Sequence, residues 1–176
     1  MINATVPLLG FAAYSGTGKT TLLTQLLPLL KQHGLRVAVI KHSHHDFEID
    51  QPGKDSHQLR AAGATPMLLV SPYRRVIISE RDPASAVTLS DQLQALSDEA
   101  LDLILVEGFR DEAFPKIELH RPLLNKPLLY PDDHCIIAIA SDQPLDPPAS
   151  LPCLDLNQPR LIADFILQLF PELDHD

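Results

Sequence analysis

The stretch LLGFAAYSGTGKTT, residues 8–21, decides the fold. A short apolar run leads into a glycine-containing loop, after which leucines recur at helical spacing. This order predicts a buried strand over residues 8–13 and a helix over residues 20–33, ended by Gly34. The loop matches the phosphate-binding loop (P-loop) pattern, with Ala13 in place of its first glycine.

Each position of this loop has a physical role. Gly16 and Gly18 allow backbone angles that point successive N–H groups into one hollow, which the positive end of the helix faces. The Lys19 side chain reaches the β- and γ-phosphates of a nucleotide, and the Thr20 hydroxyl binds Mg²⁺. We therefore predict a nucleotide site here, with Lys19 also acting in catalysis.

The rest of the chain alternates strands and helices. Apolar strands are predicted over residues 36–40, 103–106 and 135–140, helices over residues 56–62 and 86–97, a hairpin over residues 67–80, and a last helix capped by Asn157. Lys116–His120 alternates and predicts a strand nearer an edge. Apolar strands between helices predict an α/β fold of the P-loop NTPase type. It has three layers, a mostly parallel sheet with helices on both faces, and forms one domain over residues 1–176.

Composition limits the classes of function. With 176 residues, 45% hydrophobic and 21% charged, the chain is typical of a globular protein. A formal net charge of -9 argues against nonspecific binding to nucleic acid or to an anionic membrane. The sequence shows neither an apolar run of about 18–20 residues nor a basic signal region, so we expect a cytoplasmic protein. Cys135 and Cys153 are expected to be buried thiols.

Charged residues follow two of the predicted strands. Glu107 ends an apolar strand, as a metal-linked Walker B acid does, and Gly108 lets the chain turn close to a γ-phosphate. The segment KHSHHD, residues 41–46, follows the second strand. There Lys41 is expected to neutralise phosphate charge, and Asp46 or Asp50 to contact Mg²⁺-bound water or orient an attacking water.

Two positions carry alternative interpretations. His44, His45 and Asp46 are residue types that bind transition metals, although neighbouring side chains on one loop point in different directions. Asp142 follows a late strand, where many GTP-binding proteins place the carboxylate that accepts the guanine N1 and N2 hydrogens. The Asn-Lys-x-Asp signature is missing, and Asp142 is equally interpreted as a turn-forming residue before Gln143.

Five segments in this order resemble the molybdopterin-guanine dinucleotide biosynthesis adaptor protein B family. They are AYSGTGKTTLL, KHSHHD, PGKDS, DLILVEGF and AIASD. The resemblance spans about residues 7–170. It implies GTP binding with Mg²⁺, weak GTPase activity, a homodimer, and assistance to the guanylyltransferase that joins GMP to molybdopterin. It also implies that phosphate is held by Gly16, Thr17, Gly18, Lys19, Thr20 and Thr21, and that Thr20 and Glu107 serve the metal. We predict that Ser15 of the same loop binds the nucleotide as well.

One departure bears on catalysis. Related P-loop proteins such as dethiobiotin synthetase and nitrogenase iron protein carry a signature lysine four residues before the last loop glycine, where this chain has Tyr14. This favours weak hydrolysis, so that the protein is at most a slow GTPase acting as an adaptor. Two alternatives remain: an ATP-dependent small-molecule kinase or ligase of the dethiobiotin synthetase type, and a metallochaperone GTPase suggested by the histidine cluster.

Overall fold

The computed structural model describes residues 4, 6–43, 45–82 and 85–173. They divide into two compact units. The sheet unit comprises the described residues up to His42 and from Thr88 onward, and the hairpin unit comprises those between Ser43 and Val87.

The strands are β1 (Leu8–Ala12), β2 (Val37–Lys41), β3 (Met67–Val70), β4 (Arg75–Ile78), β5 (Leu103–Glu107), β6 (Lys116–His120), β7 (Ile136–Ser141) and β8 (Cys153–Asp155). The α-helices are α1 (Lys19–Gln32), α2 (Asp55–Ala61), α3 (Leu89–Ala95) and α4 (Pro159–Leu169). Short 3₁₀ helices cover Pro122–Leu124 and Pro171–Leu173. No helix in the described part of the chain is both long and apolar enough to cross a membrane.

Six strands of the described residues form the parallel sheet of the sheet unit, in the order β2-β5-β1-β6-β7-β8. Alternate residues of β1 and β5 are buried on opposite faces. One face packs against α1 and α4, and the other packs against α3. Because both faces are covered, β1 is apolar throughout and β5 is apolar as far as Val106. The predicted parallel sheet with helices on both faces is confirmed.

The prediction that Lys116–His120 lies nearer an edge is wrong, because β6 lies between β1 and β7 and is buried along its length. Its charged side chains are buried with partners. The Lys116 ammonium donates to Glu112 O at 2.6 Å and pairs with Asp133 Oδ2 at 3.1 Å. The Glu118 carboxylate accepts the N–H groups of two loop residues, Leu129 and Tyr130. Burial nevertheless raises the pKa of Glu118.

Three local expectations also need correction. Gln158, not Asn157, occupies the N-cap position of α4, whose first residue is Pro159. Helix α3 is shorter than residues 86–97, because Thr88 caps it by accepting the Asp91 N–H. Cys153 is exposed, since it lies on the edge strand β8, and Cys135 is half-buried.

The hairpin unit contains the predicted antiparallel pair, β3 with β4, in the register Met67 to Ile78. Arg60 of α2 connects two parts of the unit, since it pairs with Glu48 at 2.7 Å and with Glu80 at 2.8 Å. Several large apolar side chains of the hairpin are exposed: Leu68, Leu69, Val70, Tyr73 and Ile77.

Candidate functional site

The P-loop joins β1 to α1 at the carboxyl edge of the sheet. Gly16 and Gly18 have φ values of 81° and 103°, the left-handed region that glycine tolerates. Gly18 is the N-cap of α1, and among the described residues no side chain caps this helix and no acid lies in its first turn. The first-turn N–H groups of α1 are therefore available to an anion.

Thr17 shapes the loop from inside. Its side chain is buried and donates through Oγ1 to Tyr14 O at 2.9 Å. Ser15, Thr20 and Thr21 are exposed instead. The Thr17 hydroxyl therefore stabilises the conformation of the loop.

Lys19 lies across the same loop. Its ammonium donates to Ala13 O at 3.0 Å and to Tyr14 O at 3.3 Å. Burial lowers the pKa of Lys19, the negative charge of Glu107 opposes this effect, and the positive charge of Lys41 adds to it. The structure thus brings Lys19 near two other predicted site residues, Glu107 and Lys41, which pair with each other.

Glu107 ends β5, which pairs with both β1 and β2. Its register partner on β2 is Lys41, and the Lys41 ammonium lies 3.3 Å from Glu107 Oε2. Mg²⁺ commonly takes one or two protein oxygens and completes its shell with water and phosphate. A hydroxyl from Thr20 and a carboxylate from Glu107 fit that requirement.

The chain turns sharply after Glu107. Gly108 and Phe109 have φ values of 105° and 49°. A Cβ atom at Gly108 would lie 2.6 Å from the Cβ atom of His42. The His42 ring stacks on Phe109 with centroids 4.4 Å apart, and His42 N donates to Glu107 O at 2.8 Å. Gly108 is therefore required for the close approach of β2 and the turn after β5.

The two other predicted acids, Asp46 and Asp50, belong to the hairpin unit. Asp46 is exposed, and its carboxylate accepts the N–H of Phe47 at 2.9 Å. Asp50 accepts the Ser56 hydroxyl at 2.9 Å and lies 3.7 Å from Arg60. The roles predicted for Asp46 and Asp50 toward Mg²⁺-bound water or an attacking water both stay predictions.

The histidine cluster falls partly outside the described residues, because His44 does. Within the residues that the structure describes, no three His, Cys, Asp or Glu side chains are grouped so that they could hold a metal ion.

Asp142 directly follows β7 and meets a residue that the sequence analysis did not select. Arg121 directly follows β6, and its Nη1 donates to Asp142 Oδ2 at 2.6 Å. Its Nε donates to Thr17 O in the P-loop at 2.8 Å. Recognising Arg121 from sequence would have required placing β6 next to β1, whereas the alternating pattern suggested an edge position.

Comparisons with known proteins agree with this geometry. A family model described as molybdopterin guanine dinucleotide synthesis protein B matches residues 8–142. A molybdopterin-guanine dinucleotide biosynthesis adapter protein from Escherichia coli (strain K12) is 43% identical over 164 residues, which is 93% of each chain. Its counterpart from Haemophilus influenzae is 43% identical over 165 residues, 94% of this chain and 90% of that protein.

The crystal structure of a molybdopterin-guanine biosynthesis protein B superposes with a TM-score of 0.70 at 27% identity, covering 93% of this chain and 99% of that chain. The predicted P-loop NTPase-type fold is thereby confirmed. The family match covers well over half of the chain and spans every element that builds the P-loop edge. The chain belongs to the molybdopterin-guanine dinucleotide synthesis protein B (MobB) family.

Proposed function

We propose that this protein is a GTP-binding adapter in molybdopterin-guanine dinucleotide biosynthesis, which binds MgGTP and assists the guanylyltransferase. The observation that carries the proposal is the P-loop. The N-terminus of α1 is capped by Gly18 and by no side chain of the described residues, and Lys19 lies beside it. Such an end attracts phosphate through its free N–H groups and its dipole.

The phosphate end of the nucleotide binds over residues 15–21. The exposed first-turn residues Thr20 and Thr21 offer N–H groups, and Lys19 supplies a positive charge. Thr20 and Glu107 hold the metal, which when bound neutralises phosphate charge. Lys41 adds a second cation at the same edge of the sheet.

The base end of the nucleotide lies toward Asp142. In parallel sheets, ligands bind at the carboxyl ends of strands, and Asp142 follows β7 at the edge where the P-loop follows β1. A carboxylate accepts both the N1–H and the N2–H₂ of guanine, whereas adenine offers no such pair of donors. This favours GTP over ATP.

Hydrolysis by the protein alone is expected to be slow, below about 1 s⁻¹, the low end of typical turnover. Tyr14 stands where related P-loop proteins place a signature lysine. The nearby Arg121 guanidinium already donates to Asp142 and to Thr17 O, so it is not a free arginine finger. A free arginine finger contributes about 10³–10⁵ in rate.

The adapter role is proposed because the relatives are named adapter proteins of molybdopterin-guanine dinucleotide biosynthesis. The guanylyltransferase is proposed as the partner.

We further propose a homodimer formed through the hairpin. Val70 and Ile77 are 64% and 59% exposed, and β3 and β4 form a two-stranded sheet whose outer edges offer pairing groups. The cytoplasmic location stays a prediction.

A reconstitution assay tests the proposal. Molybdopterin, MgGTP, guanylyltransferase and this protein are combined with each component omitted in turn, and the dinucleotide is quantified. We expect no product from this protein alone and a higher rate when it is added to the transferase. Product formed without the transferase would identify an enzyme instead, and an unchanged transferase rate would contradict the adapter role.

The Lys19→Ala variant supplies the matched test of the site. It should bind GTP at least tenfold more weakly and lose the stimulation, because the point charge on the β- and γ-phosphates is gone. Lys31→Ala is the control, since Lys31 lies in the last turn of the same helix, about 18 Å away at 1.5 Å per residue. Equal GTP affinities for the two variants would contradict the P-loop assignment.

A further inference from the structure

Arg121 joins two parts of the site that are 125 residues apart in the sequence. Its Nε donates to the P-loop carbonyl of Thr17 at 2.8 Å, and its Nη1 donates to Asp142 Oδ2 at 2.6 Å. The guanidinium is planar and rigid, so the two bonds fix the position of the carboxylate relative to the loop. A Cβ atom at Gly18 would lie 3.6 Å from Arg121 Nη2, which places the guanidinium against the start of α1.

The contact leaves one acceptor of Asp142 unsatisfied. Oδ1 is covered from solvent and has no hydrogen-bond partner among the described residues. A buried acceptor without a donor is unfavourable, and a ligand donor that reaches it is correspondingly favoured. Oδ1 can therefore accept one N–H group of guanine, and Oδ2, which has two lone pairs, can accept the second beside the bond from Arg121.

We propose that Arg121 is a positioning residue that couples nucleobase selection by Asp142 to the phosphate loop. This role rests on the proposed GTP-binding function, and it assigns the selectivity for guanine to the Arg121–Asp142 pair. The chain lacks the lysine of the Asn-Lys-x-Asp signature. A cation from the neighbouring strand β6 stands beside the carboxylate instead.

Two roles for Arg121 make different predictions. If Arg121 merely held the P-loop in shape through Thr17 O, its loss would weaken GTP and ATP binding by the same factor. If it positions Asp142, its loss weakens GTP binding selectively, because adenine makes no use of the carboxylate. The ratio of the two affinities therefore separates positioning from a purely structural role.

The experiment measures dissociation constants of the full-length protein for GTP, ATP and XTP by calorimetry with Mg²⁺. For Arg121→Gln we expect the preference for GTP over ATP to fall about tenfold or more, as loss of a charge-assisted hydrogen bond implies. Arg121→Lys keeps the charge, but its ammonium lacks the planar set of donors that bonds Thr17 O and Asp142 at once. This variant should therefore show an intermediate preference for GTP over ATP. Arg36→Gln is the control, since Arg36 also pairs with an aspartate, Asp102, beside the opposite end of β2.

Asp142→Asn completes the design. An amide at this position donates to the O2 of xanthine, so the variant should move its preference from GTP toward XTP. If Asp142→Asn leaves selectivity unchanged, or if both Arg121 variants weaken GTP and ATP equally, the positioning role is overturned while GTP binding stands. If the wild-type protein binds neither nucleotide, the proposed function itself fails.

Discussion

Replacing Gly108 by alanine tests the packing between Glu107 and the end of β2. The added Cβ atom would lie 2.6 Å from His42 Cβ and 3.4 Å from the His42 Cα and N atoms. A non-glycine residue in left-handed backbone costs about 1–2 kcal/mol, and forced repacking costs about 1–3 kcal/mol more. We expect Gly108→Ala to lower the free energy of unfolding by about 2–5 kcal/mol, which urea denaturation measures.

Gly34→Ala separates the two contributions. Gly34 has a φ of 79°, and no heavy atom of the described residues lies within 4 Å of an added Cβ. This variant should lose only the backbone part, about 1–2 kcal/mol. If both variants lost the same free energy, the contact with His42 would not matter, and the reasoning would be wrong. The unfolding midpoint should be compared without nucleotide, because a bound ligand adds its own stabilisation.

Three further predictions concern the ligand and the dimer. Lys41→Gln should weaken GTP binding severalfold, because it removes the second cation that lies 3.3 Å from Glu107 Oε2 at the phosphate end of the proposed site; an unchanged GTP affinity would contradict this role of Lys41. Thr20→Ala and Glu107→Gln should each weaken the Mg²⁺ dependence while some GTP binding remains, and unchanged titration curves would contradict the metal assignment. Leu69→Glu should yield monomers in sedimentation analysis, since it places charge on the exposed hairpin; an intact dimer would locate the interface elsewhere.

Residues 8–21 illustrate what was predictable from sequence. The strand, the loop glycines and the helix are encoded locally, so the P-loop and its position at the carboxyl edge followed from pattern alone. Glu107 was recognised in the same way, from a carboxylate at the end of an apolar strand. In both cases a short contiguous segment forms the feature and also carries the sequence pattern that predicts it.

Lys116 and Glu118 illustrate what was not predictable. Their alternation with apolar residues indicated a strand nearer an edge of the sheet. Both side chains are buried instead, because a loop distant in sequence supplies their hydrogen-bond and ion-pair partners. Asp133 pairs with Lys116, and two loop N–H groups bind the Glu118 carboxylate. Hydrophobic patterning records how polar a side chain is, but it does not record whether a partner 11 to 17 residues away satisfies it. Because β6 was predicted nearer an edge of the sheet, Arg121, which follows it, was not predicted as a site residue.

Three of the side chains proposed to bind MgGTP have partners within the protein. Lys19 donates to two carbonyls of its own loop, Glu107 is paired with Lys41, and Asp142 is paired with Arg121. Binding therefore exchanges contacts, so the net gain is smaller than the sum of the new bonds. The Lys41–Glu107 pair also neutralises an acid that would otherwise repel phosphate before the metal arrives. Under the proposed function, exchange of contacts makes release of the nucleotide easier than it would be from a site without internal partners, which suits the presentation of GTP to a second protein.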